Sequence, residues 1–113
     1  MSFESYILPC VPQREMVLFP HVTIPIFVVR GRALATVEAL QPGTARLFLV
    51  AQQEVGDEEP EPDGLHRIGT EAEILQVLRL SDGTVKVLLE GLGRCRVKDF
   101  QIDGDSLLAE VIP

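Results

Sequence analysis

Few residues of this 113-residue chain have the types and spacing that chemistry needs. His21 and His66 stand far apart, each beside a loop. Metal sites need clustered ligands at defined spacing, so His66 next to Arg67 reads as a surface residue. Cys10 and Cys95 are also far apart in sequence and read as buried thiols rather than a disulfide framework. The segment from Glu54 to Gly64 carries Glu54, Asp57, Glu58, Glu59, Glu61 and Asp63. It lacks the ligand spacing and terminal Glu of a calcium loop and reads as a solvated loop. Glu71 and Glu73 fall on one side of a strand, with Glu90 near them. A solvated strand face explains them better than an acid–base pair. No Gly-rich loop ends in Gly-Lys-Ser/Thr, and no Gly-x-Ser-x-Gly elbow occurs, so neither a phosphate cradle nor a serine nucleophile is visible.

Two features bear on binding instead. Arg30 and Arg32 flank Gly31 at the entrance to a helix, where cations oppose the macrodipole. They read either as solvated charges or as a contact for a partner. Met16, Leu18, Phe19, Ile24, Ile26 and Phe27 crowd near proline turns. Most must be core, but an apolar remainder at the surface would suit unfolded polypeptide.

The elements that must position these residues are mostly strands. Ser5 to Val11 reads as a strand, with Pro9 and Pro12 marking an edge or its ends. Thr23 to Val29 reads as a strand whose Pro25 implies an edge or a bulge. Gly31 to Leu40 is the one helix, with Ala33, Leu34, Val37 and Leu40 at helical spacing and Gln41-Pro42-Gly43 stopping it. Arg46 to Gln52 holds an apolar run whose length fits a strand buried on both faces.

Glu71 to Leu80 and Thr84 to Glu90 read as a β-hairpin around Ser81-Asp82-Gly83. A two-residue turn would set Arg79 against Lys86, an unfavourable like-charge pair. A three-residue loop sets Leu80 against Thr84, Val77 against Val87 and Leu75 against Leu89. It also gathers Leu75, Val77, Val85, Val87 and Leu89 on one face, so this register is preferred. Apolar residues on both faces suggest that the hairpin lies inside the domain rather than on its rim. Gly91 and Gly93 allow a bend or bulge, Arg94 to Gln101 alternates as a strand, and Ser106 to Ile112 follows a turn at Asp103-Gly104-Asp105.

Composition bounds the rest. The chain is 46% apolar and carries a net charge of −7, which describes a globular domain and makes duplex nucleic acid a poor partner. The N-terminal MSFESYI has no basic region or apolar core of a signal peptide, and no apolar run nears the ~20 residues of a membrane span. A soluble, reducing, cytoplasmic setting is the simplest reading. The element order indicates an α+β, mainly β fold with mostly antiparallel strands and a single helix.

The stretch Ile68-Gly69-Thr70, Ile74-Leu75-Gln76, Leu80, Asp82 to Leu88 and Glu90-Gly91-Leu92, followed by Arg94 and Arg96, closely resembles the N-terminal domain of bacterial Lon proteases. Leu8-Pro9, Pro12, Arg14, Val17, Phe19-Pro20, Pro25, Phe27-Val28 and Leu49 to Gln52 extend the resemblance to essentially the whole chain. Gln13 and Val29 depart from the family, which usually has Leu and Gly there.

The resemblance implies a compact PUA-like β-rich subdomain spanning residues 1–113, a front part of a Lon N-terminal domain. It implies a module that recognises unfolded or degron-bearing proteins and supports ring assembly, with Arg30, Arg32, Phe19 and Phe27 as candidate binding residues. The parent would be a homohexameric, ATP- and Mg-dependent serine protease whose Ser-Lys dyad lies outside this chain, so catalysis is not expected of these residues. A stand-alone Lon-substrate-binding-like protein, or a PUA-like ligand or nucleic-acid module, are the alternatives.

Overall fold

The computed structural model describes residues 4–13, 20–29, 31–40, 44–53 and 62–113. Phe19, Arg30 and most of the acidic segment lie outside the described residues. Among the described residues six strands and one α-helix follow in the order β1 (Tyr6–Gln13), β2 (Thr23–Val28), α1 (Gly31–Glu38), β3 (Arg46–Ala51), β4 (Ile68–Arg79), β5 (Val85–Asp103) and β6 (Ser106–Ile112). They form one sheet ordered β2-β5-β4-β3-β1-β6, and β6 pairs back onto β5. The sheet therefore closes through β5-β4-β3-β1-β6, with β2 appended to the first part of β5. Among these described strands only the β1–β3 pair is parallel.

The prolines sit where the ladders leave room for them. Tyr6 to Pro9 pairs with β6 alone, and Cys10 to Gln13 pairs with β3 alone. Each half of β1 is thus open on one side, where a missing N–H costs nothing. Pro25 lies on β2, which pairs only with β5.

β3 is buried on both faces, as its apolar run predicts. Leu47 and Leu49 join a cluster with Val11, Ile26, Val28, Val37, Val85, Val87 and Leu89. Phe48 and Val50 join a second cluster with Leu8, Cys10, Leu65, Cys95, Val97, Leu107, Ala109 and Val111. The helix lies on the first cluster through Ala33, Leu34, Val37 and Leu40, the positions its spacing marks. An eight-residue helix is marginal in water, so packing must hold it. Thr36 adds a polar anchor: its Oγ1 accepts from the Leu107 amide at 2.9 Å and donates to the Arg32 carbonyl at 2.8 Å.

The hairpin adopts the three-residue loop. Leu80 N donates to Thr84 O at 2.8 Å, Gly83 N donates to Leu80 O at 3.1 Å, and Gly83 takes φ 89°. Val77 opposes Val87. Leu75 does not oppose Leu89, however; Ile74 does, because the register shifts between Ile74 and Gln76. The hairpin is also not interior. β3 pairs with β4 only as far as Glu73, so β4 beyond that point has a single neighbour. Leu75, Val77, Leu78 and Leu80 are consequently exposed, whereas Val85, Val87 and Leu89 on β5 are buried.

Gly69 marks a close approach between β4 and β3. A Cβ there would overlap the Leu49 carbonyl oxygen and lie 2.6 Å from Phe48 Cζ, whereas one on Gly93 would meet nothing within 4 Å. Gly69→Ala is expected to destabilise the fold by about 1–3 kcal/mol, the usual cost of overpacking. Gly93→Ala should have little effect, and paired thermal melts of the two variants check the difference.

Candidate substrate-binding face

Alternate residues of β5 point to opposite sides. Val85, Val87 and Leu89 enter the core, so Lys86 and Leu88 face outward. Neighbouring strands complete the outer face in two rows: Phe27–Lys86–Leu78 and Pro25–Leu88–Gln76. Phe27 is 55% exposed and Leu78 41%. Val29, just past β2, and Leu80, at the hairpin loop, are exposed as well. One face thus presents several large apolar side chains around a single lysine. The size and continuity of such a surface distinguish it from scattered exposed apolar residues.

The rim of this face is an open strand edge. Pro25 has no N–H, so it cannot share a doubly hydrogen-bonded pair with Leu88. By alternation, Thr23 and Phe27 turn their peptide groups to the free edge of β2. Pro25 interrupts that row, which guards against indiscriminate pairing.

The sequence-derived binding residues separate in space. Phe27 points away from the core, while Ile26 and Val28 point towards it and towards α1. Arg32 sits in the first turn of α1, half-buried, so its helix lies on the opposite face of β2 from Phe27. Arg30 and Phe19 lie outside the described residues.

A polar cluster at the start of the strands is the feature that sequence reasoning missed. Glu71 is only 5% exposed. Its carboxylate accepts hydrogen bonds from the Tyr6 hydroxyl and, at 2.9 Å, from Arg46 Nη1, and the Cys95 thiol lies 3.7 Å away. The expectation of one solvated face for Glu71 and Glu73 fails. Glu73 is exposed and stands opposite Glu90, but Glu71 turns inward beside a register shift between Glu71 and Ala72. The one signal for it is Gly91 with Gly93, which announces a bulge but not which carboxylate turns inward.

This cluster is structural in character. Burial, reinforced by the hydrogen bond to Glu71, pushes the Tyr6 phenol above its usual value; burial likewise raises the thiols of Cys95 and Cys10. A thiol held protonated is a poor nucleophile. Among the described residues, no group of three His, Cys, Asp or Glu is placed to share a metal ion.

Comparison with known proteins follows the same lines. Residues 7–113 match the ATP-dependent protease La (LON) substrate-binding domain. The chain belongs to this family. It is 42% identical over 108 residues to the Lon protease of Buchnera aphidicola, covering 96% of this chain and 14% of that protein. Against the Escherichia coli K12 Lon protease it is 42% identical over 107 residues, covering 95% and 14% respectively. The chain thus spans about one-seventh of these Lon proteases.

Among solved structures, a Lon N-terminal domain protein from Xanthomonas campestris superposes with TM-score 0.66 at 23% identity, covering 94% of this chain and 58% of that one. The N-terminal domain of a Mycobacterium avium complex Lon protease gives 0.63 at 21%, covering 96% and 55%. These likenesses support the mainly β fold with a single helix. No helix among the described residues is long and apolar enough to cross a membrane.

The buried thiols and the half-buried Tyr6 phenol set an alkaline limit on stability. The folded chain holds these protons at pH values where the unfolded chain releases them, so stability is intact below the ordinary thiol value. It should fall as pH rises past about 8.5, and more steeply past about 10 when tyrosine joins. Tyr6→Phe should flatten the steeper part and Cys10→Ala the earlier part, whatever each does to stability at neutral pH. Denaturant melts across this range give the slopes.

Proposed function

We propose that this Lon substrate-binding domain recruits unfolded or damaged polypeptides for an ATP-dependent protease, and that residues 1–113 are its β-rich subdomain. The reading rests above all on the exposed apolar face around Phe27 and Leu78, set beside an open strand edge. Apolar contacts give affinity that tolerates many sequences, as a receptor for unfolded chains requires. Lys86 within the face, with Arg30 and Arg32 at the entrance to α1, would favour acidic or polar neighbouring segments and speed encounter. Phe19, near Pro20 in sequence, is assigned to the same apolar set.

Affinity of one copy is weak in this reading, because a small surface must offset the ordering of a flexible partner. A homohexameric parent in the cytoplasm would multiply it through linked copies. ATP, magnesium and the Ser-Lys dyad act in other parts of that parent. The work of this domain is to hold a substrate and to contribute to ring organisation.

The test is a titration of the 113-residue chain with a denatured, reduced protein and with the same protein in native form. Binding should be confined to the denatured form. Phe27→Ser with Leu78→Ser should weaken it by about tenfold or more, equivalent to about 1.4 kcal/mol, because two apolar anchors are removed. Arg30→Glu with Arg32→Glu should weaken it further at low salt. Equal binding of native and denatured protein, or full affinity in the Phe27/Leu78 double variant, would refute the assignment.

A further inference from the structure

The outward row of β5 changes character beyond Leu92. Arg94 and Arg96 are both exposed on one face of the strand. Arg94 stands opposite Thr70 on β4, and Arg96 stands between Ile68 of β4 and Ile112 of β6. Ile68 is 56% exposed, one of the most open large apolar residues described.

Nearby cations are already engaged. Arg67 donates to the Lys98 carbonyl at 3.3 Å and lies 5.8 Å over the Phe100 ring, and Lys98 pairs with Glu110 at 3.7 Å. Among the described residues, neither the Arg94 nor the Arg96 guanidinium makes an ion pair or hydrogen bond. In a chain of net charge −7, Arg94 and Arg96 thus stand as neighbouring uncompensated cations between exposed Ile68 and half-buried Ile112.

We propose that Arg94 and Arg96, framed by Ile68 and Ile112, form a second docking surface that takes an extended acidic peptide with carboxylates on alternate residues. The spacing carries the argument. Residues two apart on a strand are separated by roughly 6.6 Å, the same as alternate residues of an extended peptide. Each guanidinium can take a carboxylate in a two-point fork, and the flanking isoleucines shield those pairs from water.

The charged window is also short. Asp99 and Glu110 follow Arg96 on the same side, and Glu90 precedes Leu92. A peptide with two or three carboxylates fits between these acids, whereas a nucleic-acid strand would run its phosphates past them. The surface is distinct from the Phe27 face: ten residues of β5 separate Lys86 from Arg96, roughly 33 Å of strand. It therefore goes beyond the recruitment reading and does not depend on it.

Fluorescence anisotropy of the 113-residue chain with a labelled Ser-Glu-Ser-Glu-Ser-Glu peptide tests the assignment. The matched Gln peptide should bind at least about tenfold more weakly, and affinity should fall clearly between about 50 and 200 mM salt. Arg94→Ala with Arg96→Ala should abolish binding with an unchanged melting temperature. Arg94→Lys with Arg96→Lys should retain part of it, since Lys keeps the charge without the fork. Phe27→Ser with Leu78→Ser should leave it intact, which separates failure here from failure of the recruitment site. Absence of binding, equal binding of the Gln peptide, full affinity in the double alanine variant, or equally effective competition by an oligothymidylate would each overturn the proposal.

Discussion

β5 hydrogen-bonds to β2, β4 and β6, and every layer of the domain depends on that sharing. Its first part carries Val85, Val87 and Leu89 into the cluster beneath α1, and its later part carries Cys95 and Val97 into the second cluster. One nineteen-residue strand can serve both only if it bends. The bend falls at Gly91 and Gly93, where β4 slips register and Leu92 is the unpaired residue. A bulge adds local twist without ending the ladder. The closed five-strand path and the appended β2 are two consequences of that single deformation.

The polar cluster around Glu71 sits beside the same bulge. Inward-turned carboxylates are expensive unless hydrogen-bonded. Here Tyr6 from β1 and Arg46 from β3 satisfy the carboxylate, and Cys95 from β5 lies against it, so four strands meet at one charged group. Such a group adds less to stability than apolar packing of the same volume. Removing one partner is costly, because the buried Glu71 carboxylate is left with its hydrogen bonding incomplete.

Exposure of the Phe27 face follows from the same topology. β5 can offer only two edges along any stretch; β2 and β4 occupy them as far as Glu90, β4 alone pairs with the bulged part, and β6 takes over from Arg96 onward. β3, the next strand out, stops pairing at Glu73. Among the described residues nothing then covers the outer side of the hairpin, and a run that is apolar on both faces has one of them left in water. The recruitment of unfolded chains proposed above rests on that uncovered face.

Much of this was legible in the residues. Asp82-Gly83 and the apolar runs around it set the loop type, because only glycine takes φ 89° without strain and only one pairing avoids Arg79 against Lys86. Helical spacing identified Ala33, Leu34 and Val37 of α1 and Leu40 just beyond it as the residues that pack on the core, and the length of Leu47 to Ala51 identified a strand covered on both sides. Side-chain alternation could not be carried through the bulge, since a single unpaired residue reverses which face each later neighbour shares. For that reason Glu71 turns inward although simple alternation sets it on the face of Glu73; a second register shift, between Ile74 and Gln76, places Ile74 rather than Leu75 against Leu89, and Phe27 and Arg32 are parted by β2 itself, which stands between them. Local periodicity decides which residues form strands; which face of a strand meets water is decided by the neighbours that the closed sheet brings to it, and those contacts arise only when distant segments pair.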